Sequence, residues 1–591
     1  MRLFLILSFL FCVNIYSQQD IVAAEYFKNG EFEKALLSYK RLYNKAPNNN
    51  SYLLKLVKSH QQLEQLDEAE TLLLNQISRV NYPPLLIELG YNYQLQNDLV
   101  NANKYYNDAI KTLDENPNYV FVIGKGFEYR SLLDQAITAY EKAMKLKPEL
   151  NFNIQLARIY GDQGNVEKMF DSYLDFVELN DTYLNTIKRA FSEFVSENSD
   201  NENNVILKRI LLKKIQQEPD LLWNEMLSWL FVQQKDYSKA FAQEKAIFSR
   251  KPESLSRIEE LAHIALNDSE PQVAISIFTY ISDIAQDVET KLNAIYYLIE
   301  IKTKIATISE YNNIVKQYQE IFNTYGMFTQ TFNIQKSYAH FLAFYKHEPS
   351  EAITNLKQTL TLPLSSFQEA EAKLELGDIL VLQEKFNEAL IYYTQIQRNL
   401  KNSTISQEAR FKVAKTSYYK GDFKWAESQL KILKSSTSQL IANDALELML
   451  LITDNKFEDS TQTGLHLYAK ADLLAFQNKT DQSIRLLDQI LKEHKGESIE
   501  DQALFKQAQL FYLKQEYQKA EENYLIIISN FSDDILADDA YFYLAELYYK
   551  KLEQPEKAKE FYEKIVFNYE DSIYYVEARN NFRLLRGDVI N

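Results

Sequence analysis

Six histidines, one cysteine and scattered carboxylates are the groups from which a catalytic or metal site would have to be built. The nearest approach to a ligand set is His340 with His347 and Glu348, which the sequence places two turns apart on one helix. Zinc needs its donors at about 2 Å, so ligands at that separation do not share an ion. The His-Glu-x-x-His spacing that puts two imidazoles on one helical face does not occur. These residues therefore read as surface or packing. Gly124-Lys125-Gly126 has the outline of a phosphate loop, but a third glycine is missing and Tyr129 stands in its place. No Gly-x-Ser-x-Gly elbow is present to raise a serine nucleophile. Arg586-Gly587-Asp588 invites an adhesion reading, yet a glycine that stops a helix, with Arg583 and Arg586 in its last turn, explains the same residues. Tyr541, Tyr543, Tyr548 and Tyr549 could stack on sugar rings, although most such tyrosines are expected inside. With no nucleophile, acid–base pair or ligand set to name, the chain reads as non-enzymatic, with no cofactor and no metal.

The elements that would carry any site are helices, and they repeat. In the stretch from Asp501, Ala508 is followed after three positions by Phe511, after twelve by Ala520, and four later by Tyr524. The next copy gives Ala545, Tyr548, Ala558 and Tyr562, with one residue added at the Gln554-Pro555 turn. A small residue on each of two antiparallel helices lets their backbones approach, and an aromatic one turn away fills the groove beside it. Upstream, Ala35, Ala69, Ala102 and Ala136 recur at steps of 34, 33 and 34, with Ala23, Val57, Gly90 and Gly124 twelve residues before them. Tyr26, Tyr39, Tyr93, Tyr106, Phe127 and Tyr140 supply the rings. A fifth copy runs through Ala157, Tyr160 and Gly164, with Met169 where the alanine would be. Pro47 and Pro148 end second helices. One such pair cannot bury its apolar face alone, so copies must stack.

These spacings resemble the tetratricopeptide repeat (TPR), whose consensus has small residues at positions eight and twenty and aromatics near eleven and twenty-four. The resemblance implies an all-α fold, a right-handed α-solenoid of stacked antiparallel helix pairs. It also implies a concave face lined by positions two, five, nine, twelve and thirteen of each first helix. By that register the partner-binding groove would hold Tyr91, Phe121, Lys125, Tyr129 and Arg158 early in the chain, and Phe505, Tyr512, Phe542 and Tyr549 late in it. Rings with scattered charge suit an extended peptide or a partner helix; packing between repeats is the alternative for the same rings. The longer copies from Leu364 to Leu585 are similar to a bacterial envelope branch of the family. That branch includes the TPR lipoprotein of the outer-membrane β-barrel assembly machine and the periplasmic TPR protein that couples cell-wall synthesis to constriction.

Residues 1–17 carry one positive charge, Arg2, and an apolar run from Leu3 to Val13, which reads as a signal peptide cleaved after Ser17. An uncleaved anchor is the alternative, though the run is short of the roughly 20 residues a span needs. Cys12 raises lipidation, but Leu10 and Phe11 before it are bulky for such a site. Cleavage would remove the only thiol, and with it disulfides and Cys-ligated zinc. A net charge of -17 argues against nucleic acid as a partner. With 12 glycines and 11 prolines against 41 tyrosines and 34 phenylalanines, an all-β chain with frequent turns is excluded.

The chain is thus expected to divide into a signal peptide (1–17), an N-terminal TPR array (18–180), a degenerate helical repeat with a polar loop over Ser196–Asn204 (181–220) and a middle array (221–363). A longer-period array (364–437), an extra helix and acidic loop (438–463), a C-terminal array with a capping helix from Ile573 to Leu585 (464–585) and a tail (586–591) follow. The expected function is a scaffold in the cell envelope, periplasmic or outer-membrane associated. It would bind envelope proteins or peptides, with no membrane span in the mature chain and with peripheral membrane association left open. A peptidoglycan- or polysaccharide-binding carrier is the alternative.

Overall fold

A computed structural model describes residues 19–434, 438–455 and 462–588. Among them there is no strand, and helix follows helix. The chain divides into two units, Met1–Glu253 and Ser254–Asn591. Within each, successive helices pack in antiparallel pairs, as Pro84–Leu95 does with Leu99–Lys111 and Ile499–Leu513 with Tyr517–Asn530. The expected signal peptide, with Cys12, lies outside the described residues, as do 456–461 of the acidic loop and 589–591 of the tail.

Close packing explains the small residues in atomic terms. A Cβ on Gly90 would sit 2.6 Å from Cδ1 of Tyr106 and 3.0 Å from the carbonyl oxygen of Ala102. On Gly124 it would sit 2.3 Å from Cζ of Tyr140, and on Gly377 2.3 Å from Cε1 of Tyr393. In each case the ring comes sixteen residues later, from the second helix of the same pair. The ring's hydroxyl then returns to the first helix: Tyr106 donates to Gln94 at 2.8 Å and Tyr393 to Asp378 at 2.6 Å, while Tyr140 and Tyr562 donate to Glu128 and Glu546. That bond is what a phenylalanine at the same place would lack.

Each pair is joined by a tight turn with one residue in the left-handed region: Gly30, Glu64, Asn97, Ser131 and Gly164 in the early copies, Glu384, Gly421, Asn478 and Gln515 in later ones. The following N–H closes the turn onto a carbonyl five residues back, as Asp98 does on Tyr93 at 2.9 Å and Glu516 on Phe511 at 2.9 Å, which satisfies a helix-end acceptor.

The structure corrects three expectations. His340 and His347 are not on one helix. Phe332–His340 gives way to a π-helical segment, Phe341–Tyr345, and His347, at φ 57°, is the left-handed residue of the turn before Pro349–Thr359. Of the polar run Ser196–Asn204, Glu202, Asn203 and Asn204 begin the Glu202–Gln217 helix instead of lying in a loop. Buried Asn204 pins the rest, donating to the carbonyls of Ser196 and Asn198 at 2.7 Å each and accepting from the Ser196 N–H at 3.2 Å. The capping helix is Tyr575–Arg586, two residues later at its start; it stops at Gly587 with φ 87°, and Arg586 pairs with Asp588.

Gly377→Ala is expected to destabilise the protein by about 1–3 kcal/mol, because fully buried Tyr393 has nowhere to retreat. A lowered melting temperature by circular dichroism checks this; an unchanged melt contradicts the packing described.

Candidate protein-binding face

The first helices of unit 1 place residues from several copies on one face. Position nine is Lys58 in Asn50–Gln62, Tyr91 in Pro84–Leu95, Lys125 in Val120–Tyr129 and Arg158 in Asn153–Asp162. Phe121, Lys125 and Tyr129, four apart, share one side of their helix. Phe121 is 53% exposed and Tyr129 65%, and Lys125 and Arg158 are exposed. The Phe121 ring meets Phe152 edge-on at 5.2 Å. The Lys58 ammonium lies 3.6 Å from the centre of the Tyr129 ring, so side chains from the first and third of these helices meet across the face.

Beneath them runs a buried polar network. Arg130 Nε donates to Glu88 at 3.0 Å and its Nη2 to Gln61 at 3.0 Å, and a second bond from Nη2 makes the Glu88 pair bidentate. Only 10% of the arginine side chain and 8% of the glutamate are exposed. The guanidinium also covers the half-buried Tyr91 ring at 4.0 Å. A buried charge without its partner would be costly, so this pair locks three consecutive copies in a fixed relation. Sequence reasoning missed Lys58, Gln61, Glu88 and Arg130. Lys58 was within reach, since it occupies position nine of the copy in which Val57 replaces the small residue. The other three carry no register signal.

In unit 2 the same position is neutralised from within. Asp378 takes Lys412 at 2.6 Å, Asp472 takes Lys415 at 2.6 Å and Lys506 at 2.8 Å, and Glu546 pairs with Lys550. Burial opposes the Asp472 charge, but the two lysines hold its carboxyl well below the usual carboxylate range. The helix Gln439–Asp454, outside the repeat, packs on Thr404–Tyr419 and Phe423–Leu433 and brings Glu447 into the field of Lys415 and Lys506. The candidate rings of this unit are largely structural. Phe542 is 6% exposed and stacked on Tyr574 at 4.2 Å, so it belongs to the core and not to a groove. Phe505, Tyr512 and Tyr549 are half-buried against that core, Phe505 edge-on to Tyr524 at 5.8 Å and Tyr512 to Tyr517 at 5.7 Å. Among the described residues no group of three His, Cys, Asp or Glu side chains could hold a metal ion, and His340 Nδ1 pairs with Glu375 at 2.9 Å. No helix among them is long and apolar enough to cross a membrane.

Two family models described as tetratricopeptide repeat match residues 468–535 and 539–572. The match supports the tetratricopeptide family. No curated protein matches the sequence. Among solved structures, one from the Naa15/Naa10 assembly bound to HypK-THB is 11% identical, covering 97% of each chain at a TM-score of 0.30. One from the APC/C hetero-tetramer Cut9–Hcn1 is 12% identical, covering 97% of this chain and 98% of that one at a TM-score of 0.23. Both superpose too loosely to bear on what these TPR copies bind.

Phe542→Ala should cost about 3–5 kcal/mol, whereas Tyr129→Ala, at an exposed ring, should stay within about 0.5 kcal/mol; thermal melts of the two variants separate core ring from surface ring. A pH effect follows from Asp501, whose carboxyl is pushed up to about 7 by burial, with Asp534, Asp454 and Glu500 nearby adding to it. Unfolded, it ionises near 4. Between those values the folded chain binds the extra proton, so this residue's contribution is fully present below about pH 4 and is lost as pH rises through 7. Asp501→Asn is expected to raise the melting temperature more at pH 8 than at pH 5; an equal shift at both contradicts it.

Proposed function

We propose that the chain is a non-enzymatic scaffold of the bacterial cell envelope that binds protein partners through the inner face of unit 1, in outer-membrane or cell-wall assembly. The observation that carries the binding part is that Phe121, Lys125, Tyr129 and Arg158 all remain exposed, although Phe121 meets Phe152 and Tyr129 meets Lys58. Exposed rings beside charge are the composition of a protein contact. The envelope part rests on the leader-like residues 1–17 and on the likeness of Leu364–Leu585 to the periplasmic branch of the family.

A photoreactive side chain placed at Phe121 in cells, followed by fractionation and mass spectrometry, tests both parts. Cross-links to envelope proteins in the periplasmic or outer-membrane fraction are expected. Full-length protein confined to the cytosol would defeat the envelope assignment. Retention of purified protein on isolated peptidoglycan through a salt wash, with no protein cross-link, would replace the scaffold by a polysaccharide carrier.

A further inference from the structure

In a stack of repeats each copy meets its neighbours, yet three consecutive residues of one copy in unit 2 reach three others. The first helices concerned are Phe332–His340 with its π-helical extension Phe341–Tyr345, Ser366–Leu382, Thr404–Tyr419 and Thr463–Phe476. Phe476, the last residue of the fourth, meets Tyr419 of the third at 6.1 Å and the Phe344 ring of the first edge-on at 5.7 Å. Gln477 Nε2 donates to the carbonyl of Leu382, at the end of the second, at 3.0 Å and to Glu384 at 3.2 Å. Asn478, the left-handed residue of its turn at φ 58°, donates from Nδ2 to the carbonyl of Phe344 at 3.1 Å, 134 residues away. Buried Leu473 of the same helix joins a core cluster whose other buried members run from Leu292 to Val413. From this convergence we infer that Phe476, Gln477 and Asn478 form a latch that holds four copies of unit 2 in a tight curl and whose release lets them open.

The chemistry of the contact suits release. Leu382 and Phe344 lie in the last turn of their helices, where carbonyls have no partner within the helix. Water takes the place of the two amides once they withdraw, and exposed Glu384 is not stranded as a buried charge. Closure also carries a counterweight. Gln477 is 6% exposed and its Oε1 accepts no hydrogen bond among the described residues, nor does the buried Oε1 of Gln383 beside Leu382. Two desolvated acceptors oppose the closed form while the rings and amides favour it, which narrows the gap between closed and open. Within each copy the helix pair keeps its own buried contact, such as Tyr393 on Gly377, so opening leaves the pairs intact. One local event thus changes the curvature of four copies at once.

Full-length protein carrying Cys12→Ser, spin-labelled at Glu351→Cys and Gln482→Cys, reports the curl by double electron–electron resonance. Both sites are exposed, on the second helices of the first and fourth copies. One narrow distance is expected. Phe476→Ala with Asn478→Gly should broaden it and lengthen it by about 5 Å, the rise of one helical turn, at unchanged helicity. Leu513→Ala, at an exposed side chain outside the latch, should leave it alone. An unmoved distance in the double variant, or an equal shift in Leu513→Ala, would overturn the inference. If the double variant loses helicity, Asn478→Gly alone decides, since it removes one exposed amide at a backbone angle that glycine accepts. A second, longer distance then supports the latch, and a distribution as narrow as the parent's sinks it.

Discussion

A tyrosine ring from the second helix of a pair, occupying the place where the first helix has no side chain, is the contact on which this architecture depends. Gly90 under Tyr106, Gly124 under Tyr140 and Gly377 under Tyr393 show it in its tightest form. The ring sets the separation of the two helices, and its hydroxyl, bonded back to the first helix, sets their relative slide. Because these partners lie only sixteen residues apart, each pair closes from local contacts, and longer-range order comes from stacking one pair on the next. The tight turn and its left-handed residue complete the unit without requiring glycine, since Glu64, Asn97 and Ser131 serve as well as Gly30.

Once the helices are fixed in this way, the two units use the ninth position of their first helices differently. Unit 2 spends its charges on itself: Asp378, Lys415 and Asp472 are tied to lysines or carboxylates of neighbouring copies, and the Gln439–Asp454 helix adds Glu447 to the same field. Unit 1 buries one strong pair, Arg130 with Glu88, and leaves Lys58, Lys125 and Arg158 unmatched above it. A fold that stabilises its own inner face with ion pairs has little to offer a charged ligand there, whereas unmatched cations beside exposed rings remain available for one.

The helix pairs were legible because their signal is local and periodic: Ala508, Phe511, Ala520 and Tyr524 are all buried in the places their spacing assigned. The π-helical turn at Phe341–Tyr345 was not, because one extra residue inside a helix leaves the surrounding apolar pattern unbroken, and so His347 appeared to continue the helix of His340. Asn204 was misread for the opposite reason, as a polar residue in a polar run that the fold buries to tie down its own backbone. For the candidate face, register found Tyr91, Phe121, Lys125, Tyr129 and Arg158 but not whether each ring stays exposed. Phe542 holds an equivalent position and is covered by Tyr574, which belongs to the capping helix region and carries no repeat signature. Arg130 with Glu88 joins residues 42 apart through long side chains, a pairing that no periodicity announces.

The π-helical segment has a wider meaning when set beside the turn at Gln554. There the closing N–H reaches back six residues to Tyr548, and at Glu348 it reaches back six to Leu342, where the other turns span five. Each site has absorbed one inserted residue on the spot. Without such absorption, a single added residue would swing every later side chain of the helix by about 100° off its face. Copies of this repeat can therefore gain length one residue at a time during evolution while the stack on either side keeps its frame.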